Sequence, residues 1–165
     1  MSSKNKIDFS LVRTYDFPDL AVGMSVHYTT TISRTDVNAY ARLSGDISPL
    51  HIDPEFRGSS SFGQNLVHGM LIASYFSALI GVFLPGRQAL LSGIQLDFVR
   101  PIPVGSSVTI SGAITALAPA FRTMVLKLLA FVDGKICVQG EARIKLLPIT
   151  KNEPERITGG NDGIL

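Results

Sequence analysis

The sequence predicts an α+β protein in which an antiparallel sheet is laid around one long apolar helix. Three observations lead there. Residues Gly69–Phe83 form a helical run without a single charge, and everything after Gln88 alternates at period two. Asp133-Gly134 then places a tight turn between the last two strands.

Taken in chain order, residues 1–20 mix charges, Asp and Pro without a period, and read as an extended arm. From Met24 to Ile32, Val26, Tyr28, Thr30 and Ile32 alternate with smaller or polar residues, which predicts a strand. Ser33 opens Ser-Arg-Thr-Asp, a variant of the capping box with Asp36 in the first turn. Val37, Tyr40, Ala41 and Leu43 follow at helical spacing, and Gly45 stops the helix. A loop is expected from Asp46 to His51, and a short helix from Asp53-Pro54.

Met70, Leu71, Ile72, Tyr75, Phe76, Leu79, Ile80 and Phe83 leave the long helix apolar on nearly every face, so it must be buried on most sides. Leu84-Pro85-Gly86 ends it. Strands are expected over Ile94–Val99, Val108–Ala116, Met124–Val132 and Ile136–Leu146, about five in all with the first. Tight turns between the last ones make the sheet mostly antiparallel. A helix apolar all round needs a sheet that wraps it, which is the shape of a hotdog fold. The organisation is an arm at 1–20, one domain at 21–148, and a Gly-, Asn- and Glu-rich tail at 149–165 read as disordered.

Composition narrows the function classes. With 165 residues and 45% hydrophobic content, one domain can build a core without disulfides. The single cysteine, Cys137, lies in an alternating apolar segment and reads as a buried structural thiol. The net charge of +2 is dispersed, so nucleic-acid binding is unsupported. The apolar run from Met70 to Leu84 is too short and too mixed for a membrane span, and Met1–Phe9 lacks a signal-peptide core. A soluble cytoplasmic protein is the expectation.

The chemistry-bearing residues concentrate in Leu43–Pro54, where Asp46 and His51 stand five residues apart between Gly45 and Pro49. An ionised carboxylate and a neutral imidazole at a shared water can divide general-base and general-acid work. From spacing alone the pair also reads as a turn cap followed by the start of a structural element. Gly69 begins the long helix, and its unshielded N–H could receive a developing oxyanion. It could equally be there to allow close packing between His68 and Met70. His68 could bind ligand, or satisfy backbone groups near the cap. His27 has no acidic or histidine neighbour at ligand spacing, and the scattered histidines predict no metal site. Without a dinucleotide or phosphate-binding fingerprint, no cofactor is expected.

The run YARLSGDISPLHIDP from Tyr40 to Pro54 resembles the signature of MaoC-like (R)-specific enoyl-CoA hydratases. VHGMLIASYFS from Val67 and DFVRPIPVG from Asp97 are similar to later family segments, so the likeness covers roughly residues 20–147. The resemblance implies a hotdog homodimer in which Asp46 and His51 hold and activate one water. That water adds to C3 of a trans-2-enoyl thioester while a proton reaches C2 on the same face. It also implies that the Gly69 N–H holds the thioester oxygen, and that Ser77 and Ile80 line the acyl pocket. Arg100 would meet a CoA phosphate or remain a solvated surface residue. The family usually carries Asn where this chain has Ser48, a shorter arm with one donor.

The resemblance leaves the thioester carrier open between CoA and acyl carrier protein. Two other classes compete. A hotdog thioesterase would place an acid on the central helix, and Gly69–Phe83 has none. A non-catalytic thioester-binding subunit would not need both Asp46 and His51.

Overall fold

Alternation decides the first strand, β1 (Ser25–Thr31), whose Val26, Tyr28 and Thr30 turn inward while His27 and Thr29 face solvent. The computed structural model describes residues 8–56 and 62–148. Helix α1 (Arg34–Ser44) begins on the expected capping box. The Asp36 N–H donates to Ser33 Oγ at 3.3 Å, and Asp36 Oδ2 accepts from the Ser33 N–H at 2.8 Å and its hydroxyl at 2.6 Å. Those bonds, the hydroxyl's first and the amide's second, hold the Asp36 carboxyl below its ordinary range. Gly45 ends α1 in the left-handed conformation, φ 77°.

The segment expected as a loop from Asp46 to His51 is helical in its second half. Pro49 sits at the first position of a one-turn helix, α2 (Pro49–Ile52), because its fixed φ suits a helix start and its missing N–H is not needed there. Asp53 closes that turn instead of opening a new one. Phe56 is helical, but residues 57–61 lie outside the described residues.

Helix α3 (Gly69–Ala78) continues into a wider π-helical turn, Leu79–Phe83, where a uniform α-helix was expected. The Tyr28 hydroxyl donates to the Tyr75 carbonyl at 2.8 Å, one turn before the ladder widens. Four strands follow: β2 (Ala89–Phe98), β3 (Ser107–Ala118), β4 (Thr123–Val132) and β5 (Lys135–Leu146). The sheet order is β1-β3-β4-β5-β2, with every neighbouring pair antiparallel. Between β4 and β5, Asp133 and Gly134 both take positive φ, as a two-residue hairpin loop of right-handed strands requires.

The helix lies in the concave face of this sheet, a hotdog arrangement. Ile72, Phe76 and Leu79 join one core with Ile110 and Ile114 of β3, Leu126 and Leu128 of β4, and Ala142 and Ile144 of β5. Each large aliphatic side chain so buried contributes roughly 1.5–3 kcal/mol of transfer free energy. At the closest approach β3 carries Gly112, where a Cβ would stand 2.7 Å from Leu79 Cδ2. Cys137 is buried in the same core, as expected.

The N-terminal arm is docked over its described part. The Arg13 N–H donates to the Val82 carbonyl at 2.8 Å, and the Arg87 N–H donates to the Arg13 carbonyl at 2.9 Å. Gly86, at φ +84°, lets this crossing happen: a Cβ there would lie 2.0 Å from the Arg13 oxygen. Phe17 and Leu20 are buried beyond it, apolar residues too few to show a period. The tail at 149–165 lies outside the described residues. Among the described residues, no helix is long and apolar enough to cross a membrane.

Candidate active site

Gly45 turns the chain out of α1 and delivers Asp46 to the surface, where its side chain is about half exposed (49%). Its backbone N–H donates to Ser44 Oγ at 3.2 Å, and its Oδ1 accepts from the Ser48 N–H at 3.2 Å. The carboxylate is therefore oriented by the backbone of Ser48. The Ser48 hydroxyl makes no hydrogen bond among the described residues. Ser48 thus supports the site through an atom that any residue but proline would supply.

His51 projects from α2 with Nδ1 2.9 Å from the Leu66 carbonyl. A carbonyl only accepts, so Nδ1 carries the hydrogen and a neutral ring keeps the Nε2 lone pair free for a base's role. The His51 carbonyl accepts from Arg34 Nη1 at 2.7 Å, and Arg34 Nη2 donates to Asn65 Oδ1 at 2.8 Å. Asn65 is buried, and its Nδ2 reaches the carbonyls of Asp53 at 2.9 Å, Leu50 at 3.2 Å and Pro49 at 3.3 Å. Arg34 and Asn65 together brace the catalytic turn through its main chain. Sequence reading missed both, since nothing in residue type reports which carbonyls a side chain will meet.

His68 closes the cluster from below. It is 1% exposed, its Nε2 is 3.0 Å from the Asp46 carbonyl, and its ring centroid lies 3.9 Å from that of His51. Tyr40 tilts against its other side with centroids 5.0 Å apart. The side chain makes no cap bond to its own helix, contrary to the cap role anticipated for it. Gly69, the next residue, is the first of α3, so its N–H lies outside the intrahelical ladder. The Phe98 ring at the end of β2 covers it, 3.2 Å from where a Cβ would stand.

Nitrogen and oxygen atoms of Asp46, His51 and His68 lie within 4.8 Å of one another. Hydrogen bonds to carbonyls already engage one nitrogen of each ring, and His68 Nε2 must keep its hydrogen to serve Asp46. That leaves His51 Nε2 and the carboxylate as free ligands, fewer than a zinc site uses. The spacing suits one water accepting and donating between them, a span of roughly 5 Å for two hydrogen bonds in series.

The family model described as the MaoC like domain matches residues 19–128. The chain belongs to the MaoC-like family. Among curated relatives, the (R)-specific enoyl-CoA hydratase of Aeromonas caviae is 39% identical over 128 residues, 77% of this chain and 96% of that one. The 3-hydroxybutyryl-CoA dehydratase of Methylorubrum extorquens is 30% identical over 151 residues, covering 90% of this chain and 96% of its own. The unliganded R-hydratase from Pseudomonas aeruginosa superposes with a TM-score of 0.78 at 28% identity, over 88% of this chain and 98% of that one.

In this MaoC-like chain the remaining candidates stand apart from the Asp46–His51 pair. Ile80 is buried in the core under the π-helical turn, and Ser77 is exposed on α3. Arg100, just past β2, turns its guanidinium back to the Ile136 carbonyl on β5. None of the three shares a hydrogen bond with Asp46 or His51 among the described residues.

Proposed function

We propose that the protein is an (R)-specific enoyl-thioester hydratase, equally a (3R)-hydroxyacyl-thioester dehydratase, acting on acyl-CoA. The observation that carries this is the His51 ring, fixed by the Leu66 carbonyl with its bare Nε2 left to serve a water shared with Asp46. The curated relatives act on the same thioester class, as their names state.

In hydration, the Asp46 carboxylate and His51 Nε2 hold the water between them. The water's proton passes to Nε2 as its oxygen bonds to C3 of the enoyl thioester. The C2–C3 π electrons move toward the carbonyl, and the thioester oxygen gains negative charge. The Gly69 N–H, at the positive end of α3, receives that charge. The imidazolium then returns its proton to C2 on the same face, which leaves the 3-hydroxyacyl thioester and a neutral His51. Dehydration runs these steps backwards. Asp46, as an anion beside the transient imidazolium, stabilises it.

Ser77, Ile80 and Arg100 enter this reading as substrate contacts: the first two toward the acyl chain, and the last toward a CoA phosphate once it leaves Ile136. A homodimer is part of it. Strand β2 is an edge of the sheet and exposes Leu90, Leu91, Ile94 and Phe98, with Met70 of α3 exposed as well, an apolar surface that a second copy would cover. The buried, unpaired Cys137 fits a reducing compartment, and the enzyme is placed in the cytoplasm.

The test is loss of enone absorbance on mixing the purified protein with crotonyl-CoA, with chiral analysis of the product. (3R)-Hydroxybutyryl-CoA is expected. Asp46→Asn should slow turnover at least about 100-fold while leaving thioester binding intact. Undiminished turnover in that variant would overturn the assignment of the pair.

A further inference from the structure

We propose that His68 is a positioning residue for both catalytic side chains, and that its working atom is the Nε2 hydrogen. The inference rests on the hydratase reading above for its kinetic arm only.

His68 touches the pair in two different ways. Its Nε2 lies 3.0 Å from the Asp46 carbonyl, and that oxygen can only accept, so the ring is the Nε2–H tautomer. The same bond fixes the main chain from which the Asp46 carboxylate projects. The ring also lies under His51, centroids 3.9 Å apart and planes 31° apart, so it limits rotation of the imidazole whose Nε2 must face the water.

One detail separates this from ordinary packing. His68 Nδ1 is buried and has no hydrogen-bond partner among the described residues. Burying an unpartnered acceptor is unfavourable, and a phenylalanine would fill the space under His51 without it. What phenylalanine lacks is a donor for the Asp46 carbonyl. Protonation offers the ring no relief, because it would add an orphaned N–H and a buried charge against His51. His68 is therefore held neutral, with its one hydrogen pointed at the loop that carries Asp46. Tyr40, tilted against its other side, keeps the ring from turning over.

Two substitutions pull the contributions apart. His68→Phe keeps an aromatic ring under His51 and removes the donor. His68→Gln removes the ring and places an amide donor at about the same reach. With crotonyl-CoA, His68→Phe should lower kcat about 10- to 100-fold with KM little changed, and His68→Gln should recover most of the loss. Wild-type kcat in the phenylalanine variant, or an equal fall in both variants, would overturn the proposal. A second readout needs no turnover: in imidazole nitrogen NMR of the wild-type protein, His68 should show a protonated Nε2 and a bare Nδ1. The opposite tautomer would overturn the proposal even if His68→Phe fails to fold. A wild-type protein inert toward enoyl-CoAs would count against the hydratase reading while leaving the tautomer result standing.

Discussion

Replacing Gly69 by proline separates the role of one N–H from the integrity of the helix that it begins. Proline is tolerated at the first helical position, and His68, at φ −59° and ψ 135°, already has the extended backbone that a following proline demands. The new ring would press on Phe98, which is half exposed and free to swing. Gly69→Pro should therefore keep its circular dichroism spectrum and lose about 100- to 1000-fold in kcat toward crotonyl-CoA, the usual cost of one oxyanion donor. Gly69→Ala, which retains the N–H, is the control and should lose far less. Near-wild-type turnover in the proline variant would remove Gly69 from the mechanism. At this scale Asp46 and His51 were legible because a carboxylate, an imidazole, a glycine and a proline crowd into one short stretch. Arg34 and Asn65 were not legible: their partners are carbonyls, which every residue possesses.

Helix α3 owes its placement to contacts at both ends, and Tyr28 supplies one of them. Burial, with a smaller contribution from Tyr75, pushes the Tyr28 phenol far above the tyrosine range. The folded chain thus keeps this proton at pH values where the unfolded chain has released it. The stabilisation is fully present below pH 10.0, the ordinary phenol value, and is lost as pH rises beyond it. Tyr28→Phe should lower stability by about 1 kcal/mol at neutral pH and flatten the fall seen in urea titrations above about pH 10. Part of the slope should remain, since the Tyr75 phenol is raised in the same direction by its own burial and by the Asp36 charge. An unchanged alkaline slope in Tyr28→Phe would show that other groups set it. The helix itself was legible from its uncharged run. Its π-helical end was not, because widening a ladder leaves the apolar pattern intact.

For the molecule as a whole, the distance between sheet and helix is set at Gly112. An alanine there would bring its Cβ to 2.7 Å from the end of Leu79, which is fully buried and has neighbours on every side. Gly112→Ala should cost about 1–3 kcal/mol in urea denaturation, with activity per folded molecule retained. No loss would mean that Leu79 can retreat. All five strands were readable from period-two alternation, and the β4–β5 hairpin from Asp133-Gly134. The placement of β2 beside β5 was not, since register between strands distant in sequence depends on the closed core rather than on any local pattern. The brace around α2 has a consequence for how such a chain can diverge. Donors outside the catalytic stretch grip it by the carbonyls of Asp46, Pro49, Leu50, His51 and Asp53. The exposed side chains between them, Ile47 and Ser48, take no part in that grip. Mutation can rewrite those two positions to suit a different thioester while the carboxylate and the imidazole stay in register, so new specificity need not start by dismantling the catalyst.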